Sequence, residues 1–338
     1  MSRRNLILAA LLLVVACGLF ALSQTRRGQN LFYALTYERV YDRYEQTDTT
    51  TTDVSARVDA NGVRAELLSA FFGLDNGLPE FLSDRVVCEG AGGKDGMPVI
   101  FSHEVDVSTL DPGDFEITKR SGAVGSVTCL TLAPANDPDE LRTVLLAGEF
   151  GDGEDQPASV RIVGNIVSLD GAVTFKEAEV PVTPLEDGPS IVLAQSVPRD
   201  AWTLDRSATG IPFGGGSGCP QGTEQIIRVT WAGGVTKPSG EAADGAEARL
   251  YEVVIDEENG GQTVITPFAL GDLGDGDNNH KLCLDRPETI RSVRFPAGHL
   301  TDPRDDLNPD TSVNIAQQNV EPLRNPKGAA MSGRDESN

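Results

Sequence analysis

The chain has 338 residues, with 51 acidic side chains against 28 Lys and Arg, a formal net charge of −23. The length holds two ordinary domains plus tails, and the charge repels nucleic acid and anionic lipid headgroups, so neither is an expected ligand. Its 36 glycines and 20 prolines punctuate short strand-like runs, and aromatics are only 6 %, which points to an all-β fold rather than a helical bundle.

Residues 1–23 read as a targeting segment. Arg3 and Arg4 make a basic start, and residues 6–16 are an apolar run. Val14-Val15-Ala16-Cys17 resembles the lipobox of bacterial lipoproteins, which implies cleavage before Cys17 and acylation of that cysteine. The chain departs from that pattern by staying apolar from Gly18 to Leu22. Two alternatives therefore stand beside it: a cut after Ala21-Leu22-Ser23, and an uncleaved anchor, since the run 6–22 is near the lower length for spanning a bilayer. All three carry the body out of the cytoplasm.

Residues 30–46 predict a helix capped by Asn30. Tyr33, Tyr37, Tyr41 and Tyr44 share one face of it. Such a stripe suits packing on the chain's own domain, or docking to a partner or a membrane interface. Residues 47–53, TDTTTTD, have no apolar surface to bury and read as a linker. RAELLSAFF at 64–72 predicts a short helix stopped by Gly73, so 24–85 is expected to be a helical segment with a Thr-rich linker.

At 98–118 the pattern changes. Phe101, His103, Val105 and Val107 alternate with Ser102, Glu104 and Asp106, the period of a half-buried strand. Residues 110–114 carry turn chemistry, and Phe115-Glu116-Ile117-Thr118 alternates again. The order apolar-Phe-Ser, then Val-Asp, then Thr-Leu before Asp-Phe resembles the opening of bacterial Ig-like domains of the S-layer-associated type. The resemblance covers about residues 86–184, under a third of the chain. It implies a β-sandwich that serves as a spacer or binding module, a fold that licenses no chemistry by itself.

Within that stretch 126–132, 143–150 and 160–167 read as strands, the last two joined by an acidic hairpin loop at 151–155. Gly188-Pro189 marks a boundary, after which 190–197, 226–231, 250–255 and 293–295 restart the strand pattern. The expected architecture is two Ig-like antiparallel β-sandwich domains, 86–187 and 188–316, preceded by an N-terminal helix and linker. A polar tail at 317–338 is expected to be disordered.

Apart from Cys17 the cysteines are Cys88, Cys129, Cys219 and Cys283, with no CxxC pair, which argues against zinc ribbons and thioredoxin-type sites. Four cysteines permit three pairings. Two fall in each proposed domain, so Cys88–Cys129 and Cys219–Cys283 are expected in an oxidising compartment.

The strongest candidate for chemistry is GDLGDGDNNHKLCLD at 271–285. Asp272, Asp275, Asp277 and Asn279 put oxygens at near-alternate positions of a Gly-rich loop, and Asp302 and Asp305 follow in a second acidic segment. Calcium wants six to eight oxygens, and such loops can wrap one. An EF-hand is rejected, since His280 stands at its glycine position and Arg286 at its final glutamate. The same residue types also close turns. His103 falls on an apolar face and reads as a core histidine. His280 and His299 lie beside the acidic loops, without an HExxH pattern. Ser217 misses GxSxG, because Cys219 replaces the last glycine.

The leading reading is a non-enzymatic binding or structural module of the cell envelope, periplasmic or on the cell surface. Its leader would hold it at a membrane, calcium is the cofactor to consider, and an envelope or extracellular protein or glycan is its partner. The alternative is a secreted hydrolase with its site near the acidic loops and His280 or His299.

Overall fold

The computed structural model describes residues 53–315, apart from 81–82, 85–86, 138, 206–216, 258–259 and 272–275. The leader with Cys17, the expected helix at 30–46 and the tail at 317–338 lie outside the described residues. So do Asp272 and Asp275. Among the described residues the chain is nearly all β, with fifteen strands in three sheets and one short α-helix.

Seven strands enclose the first core: β1 (Leu67–Phe71), β2 (Asp95–Phe101), β3 (Phe115–Lys119), β4 (Ser126–Thr131), β5 (Thr143–Glu149), β6 (Pro157–Ile162) and β7 (Glu179–Thr183). Their spatial order is β3-β6-β7-β1-β2-β5-β4. One parallel pair, β1 with β7, joins an antiparallel set of three to an antiparallel set of four. The sheet curls until its edge strands approach: Gly125 N donates to Ile117 O at 2.8 Å, and Thr118 bridges Val124. Phe101 sits in the core with Phe115 and Phe175 edge-on, at 6.4 and 4.8 Å between centroids. Each such aromatic pair adds roughly 1 kcal/mol beyond its area burial.

Residues 64–72 form no helix. β1 lies between β2 and β7, and Ala70, Phe71 and Phe72 are all fully buried. A short apolar run buried on both faces carries no readable period, and Gly73 ends a strand instead. β1 also belongs to the first sheet, so that unit begins upstream of residue 86. The alternation at 101–107 is likewise not a strand, because β2 ends at Phe101 and Ser102, His103 and Glu104 are all buried. Polar contacts hold that bend. Arg142 Nη1 donates to Ser102 O at 2.9 Å, Glu66 N to Ser102 Oγ at 2.9 Å, and Leu141 N to Glu104 Oε1 at 3.3 Å. β5 and β6 are not neighbours, so 151–155 is a crossover rather than a hairpin.

Two four-stranded sheets enclose the second core. One has the order β12 (Ala269–Gly271), β13 (Asn279–Leu284), β9 (Gln225–Trp231), β8 (Ile191–Ser196). The other runs β11 (Gln262–Ile265), β10 (Glu252–Asp256), β14 (Ile290–Phe295), β15 (Thr311–Asn314). Ile227, Val229 and Trp231 of the first meet Val253, Val293 and Phe295 of the second in a sandwich-like core. Helix α1 (Gly245–Ala248) is closed by a capping box between Asp244 and Glu247. Where the chain enters this half, a Cβ at Gly188 would lie 2.0 Å from Leu307 O, so only glycine fits. Cys88 and Cys129 stand at disulfide distance in the first half, and Cys219 and Cys283 in the second, with Cα separations of 6.4 and 5.7 Å.

Candidate functional site

The side-chain alternation that turns Ile227, Val229 and Trp231 into the second core turns Arg228 the other way, and there it meets the first half. Arg228 Nη1 donates to Asp139 O, and its Nη2 lies 3.3 Å from Glu140 Oε1. Lys281 Nζ, from neighbouring β13, is 3.9 Å from the same oxygen. Arg228 and Glu140 are each 2 % exposed, so this is a buried ion pair spanning two units. Burial pushes the Asp139 carboxyl above its ordinary value, and Arg228 is the main charge pulling it back down. Asn278 Nδ2 ties the halves again, donating to Thr143 Oγ1 at 3.3 Å and to Trp231 O at 2.7 Å. Desolvating charges is expensive, and only close geometry with extra hydrogen bonds offsets it. The seam joins Arg228, Lys281 and Asn278 of the second half to Asp139, Glu140 and Thr143 of the first. Beside it lies an apolar cavity of about 190 Å³, walled by both halves and flanked by the exposed Gly276 and Pro303.

The described members of the calcium set have turn roles. Asp277 accepts from Asn279 N through Oδ1 and from Asn279 Nδ2 through Oδ2, both at 2.8 Å. Asn279 Oδ1 accepts from Thr230 Oγ1 at 2.8 Å. Asp302 Oδ1 accepts from Arg304 N at 2.8 Å and Asp306 N at 3.0 Å, and burial pushes this carboxyl up. Asp305 is exposed in the same turn with φ 69°. Among the described residues no three His, Cys, Asp or Glu side chains come together as metal ligands.

The histidines go elsewhere. His280 lies in the second core, with Nδ1 2.8 Å from Tyr251 Oη, which also accepts from Trp231 Nε1 at 2.9 Å. Burial pushes the Tyr251 phenol far up, so it keeps its proton. His299 is exposed, with its ring 6.3 Å from Phe295. His103 Nδ1 is 2.9 Å from Ser102 Oγ, and its Nε2 is 3.7 Å from Asp59 Oδ2. Those three residue types also make up hydrolytic triads, but here Ser102 is fully buried between Arg64 O and Glu66 N. The cluster fastens residues 57–66 to the first core. The seam itself was not foreseen. Its one trace in sequence is IIRVTW, an arginine set into a run whose other members are apolar or β-branched.

No family model matches the chain, and no curated protein matches it. Among solved structures, the crystal structure of the N-terminal part of the bacterial S-layer protein SbsC is similar, at 9 % identity and a TM-score of 0.25. The match covers 75 % of this chain and 44 % of that one, so this chain spans less than half of the other's length. A likeness at that score carries no argument about function.

Proposed function

We propose that the chain is an exported, non-enzymatic module of the cell envelope, built from two Ig-like units and held at a membrane through its leader. One observation carries the reading. Each half-chain has its own core and its own cysteine pair at disulfide distance, and buried charges meet between the halves. Paired cysteines suit an oxidising compartment, and a pair of β units suits a spacer or binding platform. In the first half, sets of three and four antiparallel strands joined by a parallel pair support the Ig-like reading. In the second half two facing sheets support it. The hydrolase alternative has nothing in its favour at His280, whose ring is committed to the core. Calcium is not part of the proposal; the side chains of Asp277 and Asn279 make turn contacts.

Fractionation of expressing cells tests the export and the attachment separately. The wild-type chain is expected in the membrane fraction on the extracytoplasmic side, and Cys17→Ala in the soluble extracytoplasmic fraction. A cytosolic wild-type chain would overturn export. Unchanged membrane attachment of Cys17→Ala would overturn lipidation and favour the uncleaved anchor.

A further inference from the structure

The cavity beside the seam is walled by Phe71, Leu78, Leu132 and Leu145 from the first half and by Gly233 and Gly234 from the second. Its volume is about 190 Å³ and it is partly open to solvent, where enclosed apolar cavities of roughly 150 Å³ are known to take up benzene. Carbon dominates the wall, but Thr143 and Asn278 also line it. Asn278 gives its amide hydrogens to Trp231 O and Thr143 Oγ1, which leaves its side-chain carbonyl oxygen as an acceptor. The Thr143 oxygen receives one of those hydrogens and retains its own to donate.

Gly234 supplies an independent observation. Its φ lies outside the left-handed region that demands glycine, unlike Gly276 at φ 81°. A Cβ at 234 would stand 3.5 Å from Gly276 O and 3.8 Å from Asp277 O, which is ordinary contact. Neither backbone nor packing calls for glycine there, and Gly234 is itself part of the cavity wall.

We infer that this cavity binds one small, neutral, ring-sized molecule bearing a single hydroxyl, of the size and polarity of phenol. The ring fills the carbon wall, and the hydroxyl meets the Thr143–Asn278 pair. A net charge of −23 disfavours carboxylates of the same size. The inference does not depend on export, since purified chain suffices to test it.

Calorimetric titration of the full-length chain with phenol, toluene and benzoate decides it. Expected are saturable one-to-one binding of phenol, weaker binding of toluene, and no measurable binding of benzoate. Gly234→Val should weaken phenol at least tenfold while melting no lower than wild type, and Thr143→Val should erase the preference for phenol over toluene. Should Gly234→Val fail to fold, Gly234→Ala replaces it, with an expected loss of about fourfold for one methyl's worth of volume. No saturable phenol binding at millimolar concentration, or unchanged binding in the folded Gly234 variant, would overturn the site.

Discussion

Asp95 is fully buried at the start of β2, where its carboxylate accepts from Asn76 N at 2.8 Å, Phe150 N at 2.6 Å and Gly151 N at 3.3 Å. Burial pushes this carboxyl up, and the three N–H groups work against that push. Asp95→Ala leaves all three donors without an acceptor and should cost about 3 kcal/mol in urea unfolding. Asp95→Asn, which keeps one carbonyl oxygen, should cost less, and a neutral Asp95→Ala would refute the role. His103 gives a pH dependence. Its ordinary value is about 6.5, and burial holds it lower, with Arg142 adding to that and Asp59 and Asp170 opposing it. The fold binds the neutral ring, so this stabilisation is complete above about pH 6.5 and is lost as pH falls toward the lowered folded value. Melting temperature should therefore drop between pH 7 and 5, more steeply in wild type than in His103→Asn. Parallel profiles would show that another group sets the slope.

At the scale of elements, Asp277 fastens the start of β13, so Asp277→Ala should cost about 1 kcal/mol. Melts of wild type and variant should show that difference equally in chelator and in millimolar calcium; a difference confined to calcium would return the loop to metal chemistry. The sequence made several elements legible. Strands at 126–131, 143–149, 225–231 and 290–295 stand out because each is an apolar or alternating run between turn residues. β1 was misread because LLSAF is buried on both faces, which removes the period that separates strand from helix. The 101–107 stretch alternates in sequence but bends in space, since hydrogen bonds from Glu66 N, Leu141 N and the Arg142 guanidinium, each more than thirty residues away, hold it. Of the candidate site, the cysteine pairing was legible from the placement of two cysteines in each half. The Arg228–Glu140 seam was not, because its partners are 88 residues apart and only the folded chain brings them together.

At the scale of the molecule, two β cores meet across that seam. Arg228→Ala leaves Glu140 without its main buried counter-charge and should cost about 3–5 kcal/mol. Unfolding in urea should then separate into two transitions where wild type shows one; a single transition at the wild-type midpoint would mean the units are held by something else. A bridge at each cysteine pair would close a loop, with sequence separations of 41 and 64 residues, and would stabilise by about 4 kcal/mol in the chain-entropy picture. The central claim joins these points: two self-contained β units, each closed by its own bridge in an oxidising compartment. Peptide mapping without reduction, on chain isolated from cells after thiols are blocked in place, tests it most directly. The expected result is linked peptides for Cys88–Cys129 and Cys219–Cys283 with none of the four thiols blocked. Blocked thiols at these positions, or a bridge from Cys88 or Cys129 to Cys219 or Cys283, would contradict it.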